Sequence, residues 1–433
     1  MSISKLPVHP DRVVLTNELH ARPFHEVNAP ARTACLAIGR DVKTNTDKDA
    51  LLALLDHYGT PHPAPDANQM TARLGEVILR WERHTEFVTY ALHQEFAGDP
   101  PFSGILFDAL PEVWLNRVEG RLLTSVLVRV EQADTAEAAV ERLRSVRRDW
   151  FVAESLAASF VLGQDALIAG DFRLDPRGHV RFAVFRIGDT GPQRIGRVVQ
   201  RLIEIETYKS TAMLTLPIAR DVFAQLDGLD REMGAVVNGM TQPDVDRRTE
   251  LDRLLELSAR VESFSADTAY RFSAAEAYSA IVHQRIEVLR EQRVNGMQLF
   301  TEFMQRRFDP AMRTCRAAQA RLEGISGRAA RASRLLSTRV TVETNEQNRR
   351  LLEQMDRRAA LQLRLQQTVE GLSVVAISYY ATGLLAQLLL PFGPTIGMSE
   401  GWLTAILVPP VVFLVWLAVR RIRRLAKERV KTG

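Results

Sequence analysis

Apolar residues along this chain keep three different rhythms, one after another. Up to about residue 190 they come in short runs. "ARTACLAIG" (31–39), "EVILRW" (76–81), "EFVTYAL" (86–92), "LLTSVLVRV" (122–130), and the pair "ALIAGDFRL" and "HVRFAVFRI" around "DPRG" read as strands. Between them, "DKDALLALLDHYG" and "TAEAAVERLRSVRR" carry helical spacing. The expectation is a mixed sheet with helices laid on it, of the α+β or α/β class.

From Gly191 the rhythm lengthens to that of successive helices. "RIGRVVQRLIEIETY" follows Pro192, and Pro217 interrupts before "IARDVFAQLDGLDREMGAVV". A third helix is expected from Pro243, which suits a first helical turn. Its stripe runs through Leu251, Leu254, Leu255, Val261 and Phe264, then Tyr278, Ile281, Val282, Leu289, Met297, Phe300, Met304 and Phe308. At "FDPAMR", Asp309 can cap and Pro310 can open the next helix. No further proline occurs before Leu390, so the pattern predicts a rod of about 120 Å, with Gly324 and Gly327 as weak points. Its stretch "ETNEQNRR" (343–350) is polar all round, a solvated helix or a break in a monomer and a segment other subunits stabilise in a bundle; the stalk's apolar stripe calls for an antiparallel partner in the 243–308 helix or for oligomerisation.

The third rhythm is continuous. "GLSVVAISYYATGLLAQLLL" (371–390) is 20 residues without a charge, enough to cross a hydrocarbon core as helix. "WLTAILVPPVVFLVWLAV" (402–419) is 18 more, with Pro409 and Pro410 predicting a kink. Arg357, Arg358 and Arg364 precede the first span and "RRIRR" follows the second, while the loop between has no Lys or Arg. The positive-inside bias then predicts both termini in the cytoplasm of a bacterial inner membrane, with a short loop outside. "MSISKLPVHPDR" has no apolar segment of the secretory type, so everything before Gly371 is expected to be cytoplasmic. The expected order is a head (1–190), a helical region packed on the stalk (191–308), a stalk (309–370), a span (371–390), a loop (391–401), a span (402–419) and a basic tail (420–433). On the first span Ser378 and Thr382, with Tyr379, Gly383 and Gln387, recur at spacings of four and share a face. That face serves helix packing or a pore lining, and packing is the commoner use.

Charge sharpens this picture. Residues 1–190 hold 21 Lys+Arg against 26 Asp+Glu, whereas 313–364 hold 12 Arg against 5 acids. An acidic head argues against nucleic-acid binding there. Cys35 and Cys315 stand far apart and match no metal or disulfide spacing, which fits a reducing compartment.

Candidate chemistry is confined to three clusters in the first 200 residues. "NELHARPFHEV" (17–27) places Glu18, His20 and Arg22 on one face of a strand, followed by His25 and Glu26. Such a set binds a small anion through Arg22, moves a proton through His20, or pins an arm to the sheet. "WERHTEF" (81–87) carries Glu82, Arg83, His84 and Glu86 at a hairpin tip and could meet the first cluster in space. Eight of the nine histidines precede residue 190, yet none has a ligand spacing such as H-E-x-x-H. "GDTGPQRIGR" (188–197) opens a helix, and without a nucleotide-binding glycine motif it reads as a connector.

"NELHARPF", "WERHTEF", "RLIEIETYKS" with "LTLP" (201–217) and "TVEGLSVVAISYY" (368–380) together resemble a proteobacterial family of uncharacterised membrane-anchored proteins, domain of unknown function thirty-four twenty-two. Lys209 stands where the family pattern is expected to carry Arg. The resemblance covers nearly the whole chain and implies membrane anchoring, but transfers no catalytic residue. The order of head, stalk, span, loop, span and basic tail also resembles the CorA type of magnesium channel, a pentamer. That type carries Gly-Met-Asn after its first span, where this chain has Gly397, Met398 and Ser399, a departure that bears on ion selectivity. These readings predict a non-enzymatic, homo-oligomeric protein of the bilayer. It either conducts a divalent cation or acts as a scaffold or sensor whose head takes a cytoplasmic protein or a small anion. The ligand-binding candidates are Glu18, His20, Arg22, His84 and Glu86; Ser378, Thr382 and Gln387 are the pore or packing candidates. No metal site is predicted, and the sequence leaves any cofactor open.

Overall fold

The computed structural model describes residues 8–12, 16, 25–40, 44–96, 98, 100–239, 246–389 and 400–431. Two compact units divide the chain, Met1–Ser333 and Arg334–Gly433.

The first unit is organised by a nine-stranded sheet. Its strands are β1 (Ala31–Gly39), β2 (Gln69–Leu74), β3 (Val77–Arg83), β4 (Phe87–Gln94), β5 (Arg121–Ala133), β6 (Ala157–Val161), β7 (Ala166–Leu174), β8 (Val180–Ile187) and the two-residue β9 (Gln292–Arg293). They lie in the order β2-β3-β4-β1-β5-β8-β7-β6-β9. Two antiparallel halves meet at the parallel pair β5–β8, which needs a crossover. The chain supplies it through α2 (Ala136–Trp150), β6 and β7.

Two apolar clusters fill one side of these strands. Alternation turns Ala34, Leu36, Leu79, Trp81, Val88, Tyr90 and Leu92 toward Leu51, Leu54 and Leu55 of α1 (Thr46–His57). Leu51, Leu54 and Leu55 are fully buried, and each such side chain contributes about 2 kcal/mol. Leu143, Val146 and Trp150 of α2 cover Ala158, Leu167, Ala183 and Phe185 in the same manner.

The helices then follow. Gly191 and Pro192 open α3 (Pro192–Met213). After Leu214, α4 (Thr215–Gly239) accommodates Pro217 in its first turn. The next helix, α5 (Arg247–Glu287), starts at Asp246, whose side chain accepts from the Arg248 amide; Pro243 lies outside the described residues.

The stripe read from Tyr278 to Phe308 is not one helix. Helix α5 stops at Glu287, and β9 adds to the sheet edge against β6. The chain turns at Gly296 (φ +83°) before α6 (Phe300–Arg307). Val294 and Met297 are buried in the α2 cluster, so tertiary burial, not helical period, placed apolar residues there.

Helix α7 is continuous from Asp309 to Leu389, through Gly324 and Gly327. Within the first unit it runs antiparallel to α5. Asp309 Oδ1 meets His283 Nε2 at 3.0 Å, and Ser333 Oγ meets Ser258 Oγ at 3.3 Å. Arg321 adds an ion pair to Asp227 of α4 at 2.6 Å.

The second unit holds the rest of α7 and α8 (Glu400–Lys431), with Pro409 and Pro410 inside α8. Among the described residues one helix, ending at Leu388, is long and apolar enough to cross a membrane by length and composition. Ser378 and Thr382 are buried and line a cleft with Val408 and Val412 of α8; Gln387 lines it too but is exposed. The loop carrying Gly397, Met398 and Ser399 lies outside the described residues.

Candidate functional site

Across β3 and β4 the sheet face opposite α1 carries polar side chains and yet is covered. In β3 the alternation that buries Leu79 and Trp81 in the core turns Arg80 and Glu82 the other way, and in β4 it does the same for Phe87, Thr89, Ala91 and His93. Register gathers them: Glu82 is opposite Thr89, Arg80 opposite Ala91, Ala91 opposite Cys35, and His93 opposite Thr33. Helix α3 lies over this face with Gly196, Gln200, Ile203, Glu204, Thr207 and Tyr208 on one stripe. A cavity of about 40 Å³ remains between helix and sheet, room for a few waters or a ligand of a few atoms.

Gly196 explains how His25 reaches the cavity. A Cβ there would stand 1.8 Å from the His25 carbonyl oxygen, so only glycine lets the incoming chain cross α3 so closely. The Val27 amide donates to Pro192 O at 3.1 Å, and Gln193 donates to Glu26 at 3.0 Å. The His25 ring is thereby set 4.9 Å from that of His93.

Electrostatics at the site are internally balanced. Arg80 donates from Nε and Nη2 to Glu82 Oε1 at 2.8 and 2.5 Å, and His84 Nε2 lies 3.7 Å from Glu82 Oε2. Burial pushes the Glu82 carboxyl up, but the nearby His84 ring and the Arg80 guanidinium outweigh it and hold it at about 2. Burial, then His25 and Arg80, push His93 down to about 3, so its ring is neutral at pH 7. His93 Nδ1 lies 2.8 Å from Thr33 Oγ1. His25 is lowered as well, first by burial and then by Arg80. Burial, helped by Glu82, raises the Cys35 thiol, which therefore stays protonated and unreactive. Glu204 is ion-paired with Arg285 of α5 and accepts from Gln200 at 2.9 Å.

Two polar atoms in the lining have no hydrogen-bond partner among the described residues, Thr207 Oγ1 and Gln200 Oε1. Thr207 is 2% exposed. Unpaired buried groups of this kind cost about 1–3 kcal/mol each unless something pairs with them. Among the described residues no group of three or more His, Cys, Asp and Glu is placed to hold a metal ion.

The stretches singled out in the sequence thus converge. "WERHTEF" supplies Glu82, His84 and Phe87, the residue after "NELHARPF" supplies His25, and "RLIEIETYKS" supplies Ile203, Glu204, Thr207 and Tyr208. A family model described as protein of unknown function (DUF3422) matches residues 7–426. The chain belongs to that family. No curated protein matches it.

Within this DUF3422 protein, His84 lines the cavity, while Glu86 is spent elsewhere. Glu86 accepts from Arg271 of α5 at 2.5 Å, tying the hairpin tip to that helix. Glu18, His20 and Arg22 lie outside the described residues. Arg80, His93, Gln200 and Thr207 escaped the sequence reading. The signal for Arg80 and His93 was the period-2 placement of polar residues between the apolar positions Leu79, Trp81, Tyr90 and Leu92.

Proposed function

We propose that this DUF3422 protein is a non-enzymatic, membrane-anchored sensor or scaffold whose sheet domain binds a small ligand beneath α3. The observation that carries it is the set of polar side chains covered by α3, with Arg80, Glu82, His84 and His93 around a cavity. A face serving only stability would be filled with apolar side chains. The anchor is the apolar end of α7 together with "WLTAILVPPVVFLVWLAV" of α8, as two spans of a bacterial inner membrane with both termini in the cytoplasm.

Ser378 and Thr382 are turned into the cleft beside Val408 and Val412, which supports helix packing over a pore lining. Gln387, exposed on an apolar helix, offers a donor and an acceptor to a second copy, which supports a homo-oligomer. A CorA-type channel for a divalent cation is the competing reading, resting on the order of the elements. Three measurements separate the two: carbonate-resistant membrane fractionation, cysteine labelling from each side at positions 395 and 430, and Mg²⁺ flux in proteoliposomes. The sensor reading expects a membrane pellet, labelling of 395 from outside and of 430 from inside, and no flux. A soluble protein refutes the anchor; Mg²⁺ flux abolished by Thr382→Leu refutes the sensor in favour of the channel.

A further inference from the structure

We propose that the open edge of the sheet, strand β2, pairs antiparallel with β2 of a second copy of this chain, the twofold axis passing through Thr71. The surface is separate from the cavity beneath α3 and adds to the association that Gln387 supports.

The two edges of the sheet are treated differently. At one, β6 is covered by β9, by Gln298, whose carbonyl accepts from the Ala158 amide at 2.9 Å, and by Glu291, which accepts from Ser159. At the other, β2 has β3 on one side and no strand beyond it among the described residues. Gly75 (φ +62°) opens the turn that joins β2 to β3, and Leu74 pairs with Val77 across it. In so tight a hairpin the pair flanking the turn exchanges both its hydrogen bonds. Leu74, Ala72 and Met70 therefore bond inward to β3, and Asn68 continues the series by accepting from the Arg83 amide at 2.7 Å. Gln69, Thr71 and Arg73 turn their amides and carbonyls outward. Among the described residues only the Thr60 hydroxyl meets them, 3.2 Å from Arg73 O, and a carbonyl accepts a second bond.

The connection that leads into β2 is tied to α1 instead of to this edge. His62 Nε2 lies 2.7 Å from Asp56 Oδ1, Lys48 donates to Pro65 O, and Pro61, Pro63 and Pro65 have no amide to offer a ladder. Nor does β2 carry the devices that keep an edge single, for it has no proline, no lysine and no bulge. Its one charge, Arg73, is folded back along the turn, with Nε donating to Gly75 O at 3.1 Å.

What fits this edge is its own image. An antiparallel neighbour must set outward residues against outward residues. A twofold axis at Thr71 does so for all three, placing Thr71 against its counterpart and Gln69 against Arg73 of the second copy, for about six backbone hydrogen bonds. The side chains agree: threonine meets threonine, a carboxamide meets a guanidinium, and no like charges stand opposite. On the other face Met70 meets Ala72 of the second copy, apolar against apolar, where β2 already joins the cluster beneath α1. A strand of six residues is short for a lasting interface, so the dimer is expected to be reversible.

The test uses the full-length protein in mild detergent, carrying Gln387→Leu so that the span contributes no polar contact to association. Light scattering over a concentration series is expected to show a dimer that dissociates on dilution. Thr71→Pro is expected to weaken it more than about tenfold and to leave the melting curve in place, because the amide it removes makes no bond to β3. Thr71→Cys is expected to give a disulfide-linked dimer under mild oxidation, since residues opposite in such a pair stand about 5.5 Å apart at Cα. Gln69→Cys, about 15 Å from its counterpart, is expected to stay unlinked; if Thr71→Pro fails to fold, the two cysteine variants decide. Thr71→Cys left unlinked, Gln69→Cys linked in its place, or a dimer that folded Thr71→Pro leaves undiminished overturns the proposal. A monomer at every concentration overturns it as well and leaves the reading of Gln387 standing.

Discussion

Replacing Glu82 by Gln tests the electrostatics of the site most directly. The change keeps the shape and removes the charge, leaving the Arg80 guanidinium buried against a neutral amide. Glu82 is held at about 2, against an ordinary 4.5. A carboxyl so depressed gives the folded state about 3 kcal/mol at neutral pH. Removing one partner of a buried pair costs a similar 3–5 kcal/mol by general experience. The sign follows from the depressed value: the contribution is complete above about pH 4.5 and drains away as pH falls toward 2. Glu82→Gln should therefore lower the melting temperature by about 6–12 °C at pH 7. The gap to wild type should narrow steadily below pH 4.5. Near-UV circular dichroism of the full-length protein in detergent reports it, because Trp81 sits in the core directly behind the site. A variant that melts within 1 °C of wild type at pH 7, or a gap that stays constant down to pH 3, would refute the argument.

Three further outcomes are expected. His93 is neutral when folded and titrates at about 3, against 6.5 when unfolded; stability should fall as pH drops from 6.5 toward 3, and His93→Asn should flatten that part of a pH–denaturation profile. Gly196→Ala should push the His25 backbone off α3, raising hydrogen exchange at Val27, whose amide bonds to Pro192 O, while the apolar clusters on the other face stay protected. Glu291 accepts from the Phe300 and Thr301 amides at 2.8 and 2.9 Å; Glu291→Ala should cost about 1–2 kcal/mol and open residues 288–299 to limited proteolysis, and an uncut variant would count against that role.

Strands β1, β3, β4, β5, β7 and β8 were legible because each has an apolar face long enough to show its period. Strand β2 ("QMTARL") is half polar and buries only Ala72 and Leu74, β6 ("AASFV") is short, and β9 has two residues, so none announced itself. The segment around Leu289 to Met297 misled for the opposite reason: its apolar residues are buried by the sheet while spaced as a helix would space them. At the site, His84 was visible in "WERHTEF". Arg80 and His93 were not, because alternating polar residues in a strand read as a solvent face. Only knowing that α3 lies across that face turns them into an interior.

The polarity of that face also matters while the chain is being made. Strands β1, β3 and β4 can pair once residue 94 has emerged, but α3 begins only at Pro192, roughly a hundred residues and several seconds of synthesis later. Throughout that interval the half-built sheet turns arginine, glutamate and histidine toward water, while α1 already covers its apolar side. The same side chains that later enclose the cavity thus keep the nascent sheet from meeting another like itself.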